Sequence, residues 1–261
     1  SQPTSFQGAL GLNFVSLIDV DGRLASNDVA GVVPQMFWNN TLPLRTYNRT
    51  SGDTTDFSTP ATGRVVRSDG VILTNVTIHW VSANSDANNN VGAPDQRLMN
   101  GYLRADSGAP AVLIISNIPF PTYDVYVHVG GRQDDQLGRV FLGTNWNGAL
   151  LFQSMTTAPR SNFVEITAAN RLGNLARFTD QTGSVLSVTV TNVENGSLGL
   201  HAVQLVDTSL DLDGSGLPDW YEMHYALQPA SPALSALDSD GDGLSNAQEY
   251  ARRSHPRRAD T

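Results

Sequence analysis

Near the C-terminal end of this 261-residue chain, two twelve-residue stretches place oxygen-bearing side chains at the spacing that a single calcium ion needs. Counting from Asp211 as position 1, Asp213 stands at 3, Ser215 at 5, Gly216 at 6, Leu217 at 7, Asp219 at 9 and Glu222 at 12. Counting from Asp238 gives Asp240, Asp242, Gly243, Leu244, Asn246 and Glu249 at the same positions. Calcium takes about six to eight oxygens at roughly 2.3 to 2.6 Å, and this spacing wraps them around one centre. Glycine at position 6 permits the sharp turn, the backbone carbonyl of Leu217 or Leu244 supplies one oxygen, and the terminal glutamate closes the shell with two. Without a cation the crowded carboxylates repel one another, and that repulsion is what the metal removes. Two calcium ions are expected. Magnesium, which prefers a tighter octahedron with retained waters, fits less well.

Both stretches follow the EF-hand ligand pattern, and they form an internal repeat in which Asp211 maps on Asp238, Leu217 on Leu244 and Glu222 on Glu249. Helical segments are predicted at 220–227 and 247–253, with a Pro/Ala/Ser spacer at 229–236. The runs Asp-Leu-Asp-Gly-Ser-Gly-Leu-Pro-Asp-Trp-Tyr-Glu and Asp-Ser-Asp-Gly-Asp-Gly-Leu-Ser-Asn-Ala-Gln-Glu-Tyr resemble bacterial thrombospondin type 3 repeats over residues 211–256. That resemblance implies calcium binding behind adhesive or polysaccharide-acting modules of secreted proteins. The chain departs from the family in carrying Ser254-His255-Pro256 where Thr-Asp-Pro is common. A dockerin would also have two calcium loops, but the proline-rich spacer replaces its long recognition helices, and glutamate rather than aspartate closes both loops. A calmodulin-like sensor needs helices on both sides of each loop and a Met-rich groove, whereas the chain has four Met. The ions are therefore expected to be structural.

The charge is distributed to match. The net charge is −9, which disfavours a polyanion as the main partner. The last 51 residues hold nine acidic and four basic side chains, and eight of those nine acids fall inside the loops. With no cysteine, neither disulfides nor zinc-thiolate sites contribute. No run of 18 or more apolar residues spans a membrane. The start, Ser-Gln-Pro-Thr, is consistent with an export signal already removed, and an extracellular or cell-surface location is expected. Asn39, Asn48, Asn75 and Asn195 begin Asn-x-Ser/Thr triplets, which chance explains in a chain this rich in Asn and Thr.

The loops must be carried by something, and residues 1–207 read as a mainly β body: an antiparallel β-sandwich or jelly roll, followed by the loop-helix repeat pair at 208–261. Short apolar alternations separated by Gly, Pro, Asn and Asp predict strands near 10–17, 31–38, 76–80, 112–117, 123–129, 139–142, 149–155, 163–168, 185–191 and 199–207. Period two sends Val125, Val127 and Val129 inward and Asp124, Tyr126 and His128 outward, and it puts His79 outward and Trp80 in the core. Residues 46–69 and 82–96 read as long loops.

The pattern Tyr-Asp-Val-Tyr-Val-His-Val-Gly-Gly, then Gly-Arg-Val-Phe, then Gly-Leu-His-Ala-Val-Gln-Leu-Val, resembles galactose-binding-like β-sandwiches across residues 8–207. Such sandwiches serve as carbohydrate-binding modules of polysaccharide-degrading enzymes, so a polysaccharide or oligosaccharide ligand is what the resemblance implies. A sugar needs a flat aromatic for its C–H face and amides or charged groups for its hydroxyls. Asn145, Trp146 and Asn147 supply that combination, and Arg132, Asp134 and Asp135 would join them if both loops closed the same end of the sandwich. Trp146 could equally cap an edge of the core. Trp38, followed by Asn39 and Asn40 with Tyr47 nearby, is a second aromatic-amide cluster, and Trp220 is expected to pack the tail on the body.

Catalytic signatures are missing: there is no His-Glu-x-x-His, Gly-x-Ser-x-Gly or phosphate loop. A glycoside hydrolase needs two carboxylates facing across a site, and adjacent residues such as Asp134 and Asp135 point apart. The expected function is a non-catalytic carbohydrate-binding module of a larger secreted or surface protein. The alternatives are an adhesion or spacer module without sugar specificity, and a small polysaccharide-active hydrolase or lyase.

Overall fold

The computed structural model describes residues 5–15, 22–41, 53–56, 65–82, 84–88, 92–155, 162–194, 196–227 and 233–259. In chain order the strands are β1 (Ala9–Phe14), β2 (Asn39–Thr41), β3 (Asp53–Asp56), β4 (Val65–Val66), β5 (Ile72–Leu73), β6 (Thr77–Ser82) and β7 (Asn84–Ala87). After helix α1 (Pro94–Leu98) come β8 (Gly101–Ala105), β9 (Ala111–Ser116), β10 (Thr122–Gly131), β11 (Leu137–Leu142), β12 (Leu150–Gln153), β13 (Leu175–Thr182), β14 (Val185–Asn192) and β15 (Leu198–Asp207). Helices α2 (Asp219–His224) and α3 (Asn246–Arg252) follow, separated by a 3-10 turn at Leu234–Ala236.

Among the described residues the strands form a seven-stranded sheet, a six-stranded sheet and a two-stranded ribbon of β4 and β5. The larger sheet runs β13-β10-β15-β1-β2, with β8 sharing the free edge of β15 and β7 paired to β8. The smaller runs β12-β11-β14-β9-β6-β3. Pairing between these strands is antiparallel except for β1 with β2. The two sheets close on one apolar core, with Leu12, Val125, Val127, Val203 and Leu205 from one side and Ile78, Trp80, Leu113, Val140 and Val188 from the other. This is the antiparallel sandwich that the alternation predicts, because each sheet buries every second side chain against its neighbour.

Several expected strands and loops differ. Residues 31–38 are a turn closed by an isolated Ala30–Gln35 bridge, and the strand falls on Asn39–Thr41 instead. Residues 163–168 contribute only a Glu165–Leu175 bridge. The segments read as long loops contain β3, β4, β7 and the start of α1. Tyr47, Asn48 and Asn195 lie outside the described residues.

The largest correction concerns the outer face of the seven-stranded sheet. Asp124, Tyr126 and His128, expected in solvent, are 3%, 4% and 0% exposed. Strand β15 is buried at all ten of its positions. A second layer covers this face. Phe6, Val33, Leu210, Trp220 and Met223 pack with Tyr126, Leu175 and Val206, while Leu24, Trp38 and Leu98 pack with Ala202. Central strands covered on both sides lose the apolar/polar alternation, so a buried polar residue imitates an outward one.

Trp38 belongs to this cover and cannot be a sugar platform. Its indole N–H donates to the Ala30 carbonyl at 3.2 Å. Gly11 and Gly31 make room for the ring, since a Cβ at either would come within 2.5 and 2.7 Å of its carbons. The neighbouring amides are used as well. Asn39 bridges Gly11 and Val66, and Asn40 bonds Asn13 and both backbone groups of Leu24. Asn39, 6% exposed, is also closed to a glycan in the folded chain.

His128 sits edge-on to Phe163 at 4.6 Å and to Trp38 at 6.5 Å, and neither ring nitrogen has a hydrogen-bond partner among the described residues. Burial disfavours the imidazolium and lowers the pKa from 6.5 to about 3. Between those values the unfolded chain binds a proton that the folded chain refuses, so stability falls as pH drops through this window. Relative to His128→Leu, the parent chain should lose roughly 1.4 kcal/mol per pH unit below about 6.5. Urea unfolding of both proteins from pH 7 to pH 4 reads that difference, and a pH-independent gap between them would contradict it.

Candidate functional site

The tail repeats its own hydrogen bonds. Asp219 N–H donates to the Leu210 carbonyl at 2.8 Å, and Asn246 N–H donates to Leu237 at 2.7 Å, 27 residues on. Leu227 bonds back to Glu222 as Ser254 does to Glu249, and Gly216 and Gly243 each donate to the first aspartate of their loop at 3.0 Å. The left-handed positions repeat too, at Gly214 and Gly241, Gly216 and Gly243, Ala226 and Arg253. Glycine at four of these six lets the loop turn its backbone without a Cβ penalty.

This backbone brings the predicted ligands together. Carboxylate oxygens of Asp211, Asp213 and Asp219 lie within 4.8 Å of one another, as do those of Asp238, Asp240 and Asp242. In the first loop, Ser215 Oγ donates to Glu222 Oε1 at 2.5 Å and lies 3.3 Å from the Leu217 carbonyl, which gathers positions 5, 7 and 12. Burial, with Asp213 and Asp211 nearby, raises the pKa of both Asp219 and Glu222. In the second loop, Asn246 and Glu249 are wholly buried. Asn246 Nδ2 donates to the Leu234 carbonyl, which leaves its Oδ1, like Asp240 Oδ2, buried without a partner among the described residues. The Leu244 N–H donates to Asp242 Oδ1 at 3.0 Å. Buried oxygens that lack a proton donor beside a carboxylate triad suit a hard cation, so the donor set fits a divalent metal such as calcium.

The candidate sugar residues do not form one site. Arg132, Asp134 and Asp135 precede β11, while Asn145, Trp146 and Asn147 follow it, so the six-residue strand Leu137–Leu142 holds the two groups at opposite ends, roughly 20 Å apart. A cleft shared by both loops is therefore ruled out by the strand that joins them.

At the first end, Arg132 Nη1 lies 3.5 Å from Asp86, which also accepts from Ser197 Oγ at 3.2 Å. With Arg104 and Gln133 these residues line an open groove of about 500 Å³ with no aromatic ring among its described lining residues. Asp134 and Asp135 are exposed, and Asp135 accepts from Gln153 Nε2 at 2.9 Å.

At the other end, Trp146 is 61% exposed on the β11–β12 turn, flanked by exposed Asn145 and Asn147. It does not cap the core. The Arg139 guanidinium lies 4.6 Å from the ring centroid and Phe141 lies 6.5 Å away, so the indole is supported from the outer face of the six-stranded sheet. Arg139 was not singled out from the sequence, although its position two residues from Phe141, on the same face of β11, was a usable signal.

Also unanticipated was the pair of Asp124 on β10 and Arg177 on β13, near which Trp220 of the tail packs. Arg177 donates to Asp124 Oδ2 from Nη2 at 2.7 Å, and its guanidinium carbon lies 5.5 Å from the Tyr126 ring and 5.9 Å from that of Trp220.

No family model matches the sequence, and no curated protein matches it. Among solved structures, the chain is similar to a family GH115 4-O-methyl-α-glucuronidase with specificity for decorated arabinogalactans, at 10% identity and a TM-score of 0.29, over 48% of this chain and 16% of that one. It is also similar to the C-terminal CBM6 of a marine laminarinase from Zobellia galactanivorans, at 10% identity and a TM-score of 0.23, over 41% of this chain and 77% of that one. The chain thus spans about a sixth of the length of the glucuronidase. Agreement this partial fixes neither a shared topology nor a shared ligand.

Proposed function

We propose that the protein is a secreted, non-catalytic polysaccharide-binding module whose tail is held by two calcium ions. The observation that carries the binding reading is Trp146, an indole mostly in solvent, backed by Arg139, with two exposed amides beside it. A ring held from one side offers its other face to the C–H face of a pyranose, and Asn145 and Asn147 can exchange hydrogen bonds with the sugar hydroxyls. Exposure favours a long chain passing over the surface rather than a small molecule enclosed in a pocket. The adjacent and exposed Asp134 and Asp135 lack the facing geometry of a glycosidase pair, which favours binding over hydrolysis.

The calcium reading rests on the repeated ligand register and the buried oxygens at Asp240 and Asn246. It agrees with the thrombospondin type 3 resemblance, and it favours an extracellular setting, where calcium is plentiful enough to fill even sites with dissociation constants of about 0.1 to 1 mM. In such a tail the residues of the two loops hold the ions, and the ions supply the positive charge that lets the carboxylates crowd together.

In affinity gels cast with plant or algal polysaccharides, Trp146→Ala should lower retention about 3- to 10-fold on whichever polymer retards the parent protein, the loss of one stacking contact. Equal retention of parent and variant on every polymer would remove the platform, and release of reducing ends would favour an enzyme. Calorimetric titration of chelated protein with calcium should show about two sites, and Asp240→Ala about one. A flat titration of the parent would refute the assignment.

A further inference from the structure

Arg139 carries a charge that the folded chain leaves unmatched. Among the described residues the half-buried arginines are Arg67, Arg97, Arg104, Arg139 and Arg177. Four of them lie within 3.0 Å of a carboxylate, that of Asp69, Asp28, Asp106 and Asp124 in turn. The Arg139 guanidinium has neither an ion pair nor a hydrogen bond among the described residues, and it lies 4.6 Å from the centroid of the Trp146 ring. A partly desolvated cation is unfavourable without a counter-ion, and a ring face offsets only part of that cost. The ring also gives none of the five guanidinium N–H groups an oxygen to bond.

The surroundings of Arg139 hold little negative charge to replace the missing partner. Strands β12, β11, β14, β9 and β6 contain no Asp or Glu, and neither does the turn at 143–149. The acids of the six-stranded sheet are Asp53 and Asp56 of β3, at its far edge, four strands and roughly 19 Å from β11. Directly across from Arg139 stand Leu151 and Thr191. The exposed Asp135 and Glu194 lie four residues from Arg139 and three from Thr191, roughly 10 to 13 Å along the strands on the side away from Trp146. That exceeds the screening length of about 8 Å at physiological salt. The net charge of −9 disfavours a polyanion spread over the whole surface, yet eight of the 25 acidic residues belong to the tail loops, and the tail packs on the opposite sheet. The face beside Trp146 is locally positive.

We propose that the polysaccharide recognised at Trp146 is acidic: one sugar lies on the indole, and a carboxylate or sulfate group of the same polymer pairs with the Arg139 guanidinium. The planar fork of N–H donors suits either anion, which can accept two parallel hydrogen bonds from it. This inference rests on the polysaccharide-binding reading above and names the ligand class for that site.

The test uses the full chain with calcium present, in affinity gels cast with hyaluronan, glucuronoxylan or fucoidan, with the carboxyl-reduced or desulfated form of each, and with neutral galactomannan and xyloglucan. At least one acidic polymer should retain the parent about 3- to 10-fold more strongly than its own neutralised form, between the worth of an exposed ion pair and that of a charge-assisted hydrogen bond. Added sodium chloride should shrink that difference. Whether carboxyl reduction or desulfation removes it tells which anion is read. Arg139→Gln should bring the two forms of that polymer to equal retention, and Arg139→Lys should keep part of the preference. If Arg139→Gln also loosens the indole and lowers retention on every polymer, the ratio between the two forms still reads the charge, and Arg139→Lys carries the same comparison. Retention of the parent on neutral and neutralised polymers as strong as on the acidic ones would overturn the inference and leave the binding module standing. A preference unchanged in Arg139→Gln would overturn the assignment to this residue, and retention on no polymer would remove both readings.

Discussion

The outer face of the seven-stranded sheet has to be covered, and most of the molecule follows from that requirement. Ala9, Tyr126, Ala202 and Val206 present there a surface that water would expose at a cost of about 25 cal/mol per Å² of apolar area. The opposite sheet cannot cover it, being committed to the main core. The turn at residues 31–38, helix α1, Phe163 and the C-terminal tail therefore share the work. Trp38 is consumed as cover, Gln204 is tied to Gln35 and Val33 beneath it, and His128 is left dry.

The tail is held to this face by apolar contact, by Trp220 lying near the Arg177 guanidinium and by the exposed Arg253–Asp180 pair. Asp124 is nearly enclosed, with 4% of its side chain exposed, and an isolated carboxylate there would be strongly unfavourable. Arg177 and the Asp180 N–H satisfy both of its oxygens, and the guanidinium then spreads over Tyr126 and Trp220. Deleting one partner costs more than the pair contributes, because the survivor stays buried. Both partners belong to neighbouring strands of the body, so the pair orients the guanidinium against which Trp220 of the tail lies.

What could be read from the sequence was what is local. The ligand register of both loops, the repeat, and strands such as β6, β9 and β14 depend on neighbours a few residues apart, and their periods are visible in one chain. The rest depended on what lies opposite. Asp124 and His128 alternate with valines like solvent-facing residues, and nothing nearby in sequence reveals Arg177 beside the one or Trp38 and Phe163 above the other. Strand β13, Leu-Ala-Arg-Phe-Thr-Asp-Gln-Thr, carries little alternation and is held by pairing with β10. Grouping Arg132 with Trp146 failed for a simpler reason: a strand separates its two flanking loops by its own length, and β11 lay between them.

Strand β15 runs through the middle of this arrangement, bonded to β10 along one edge and to β1 and β8 along the other, with every side chain enclosed. Its amides reach solvent only when the whole sandwich opens, so their deuterium exchange reports the global unfolding free energy. The tail is different, since it meets the body through a few rings, the Arg177–Trp220 contact and the exposed Arg253–Asp180 pair. Exchange at β15 and exchange in the tail thus read different sets of contacts made on one shared face.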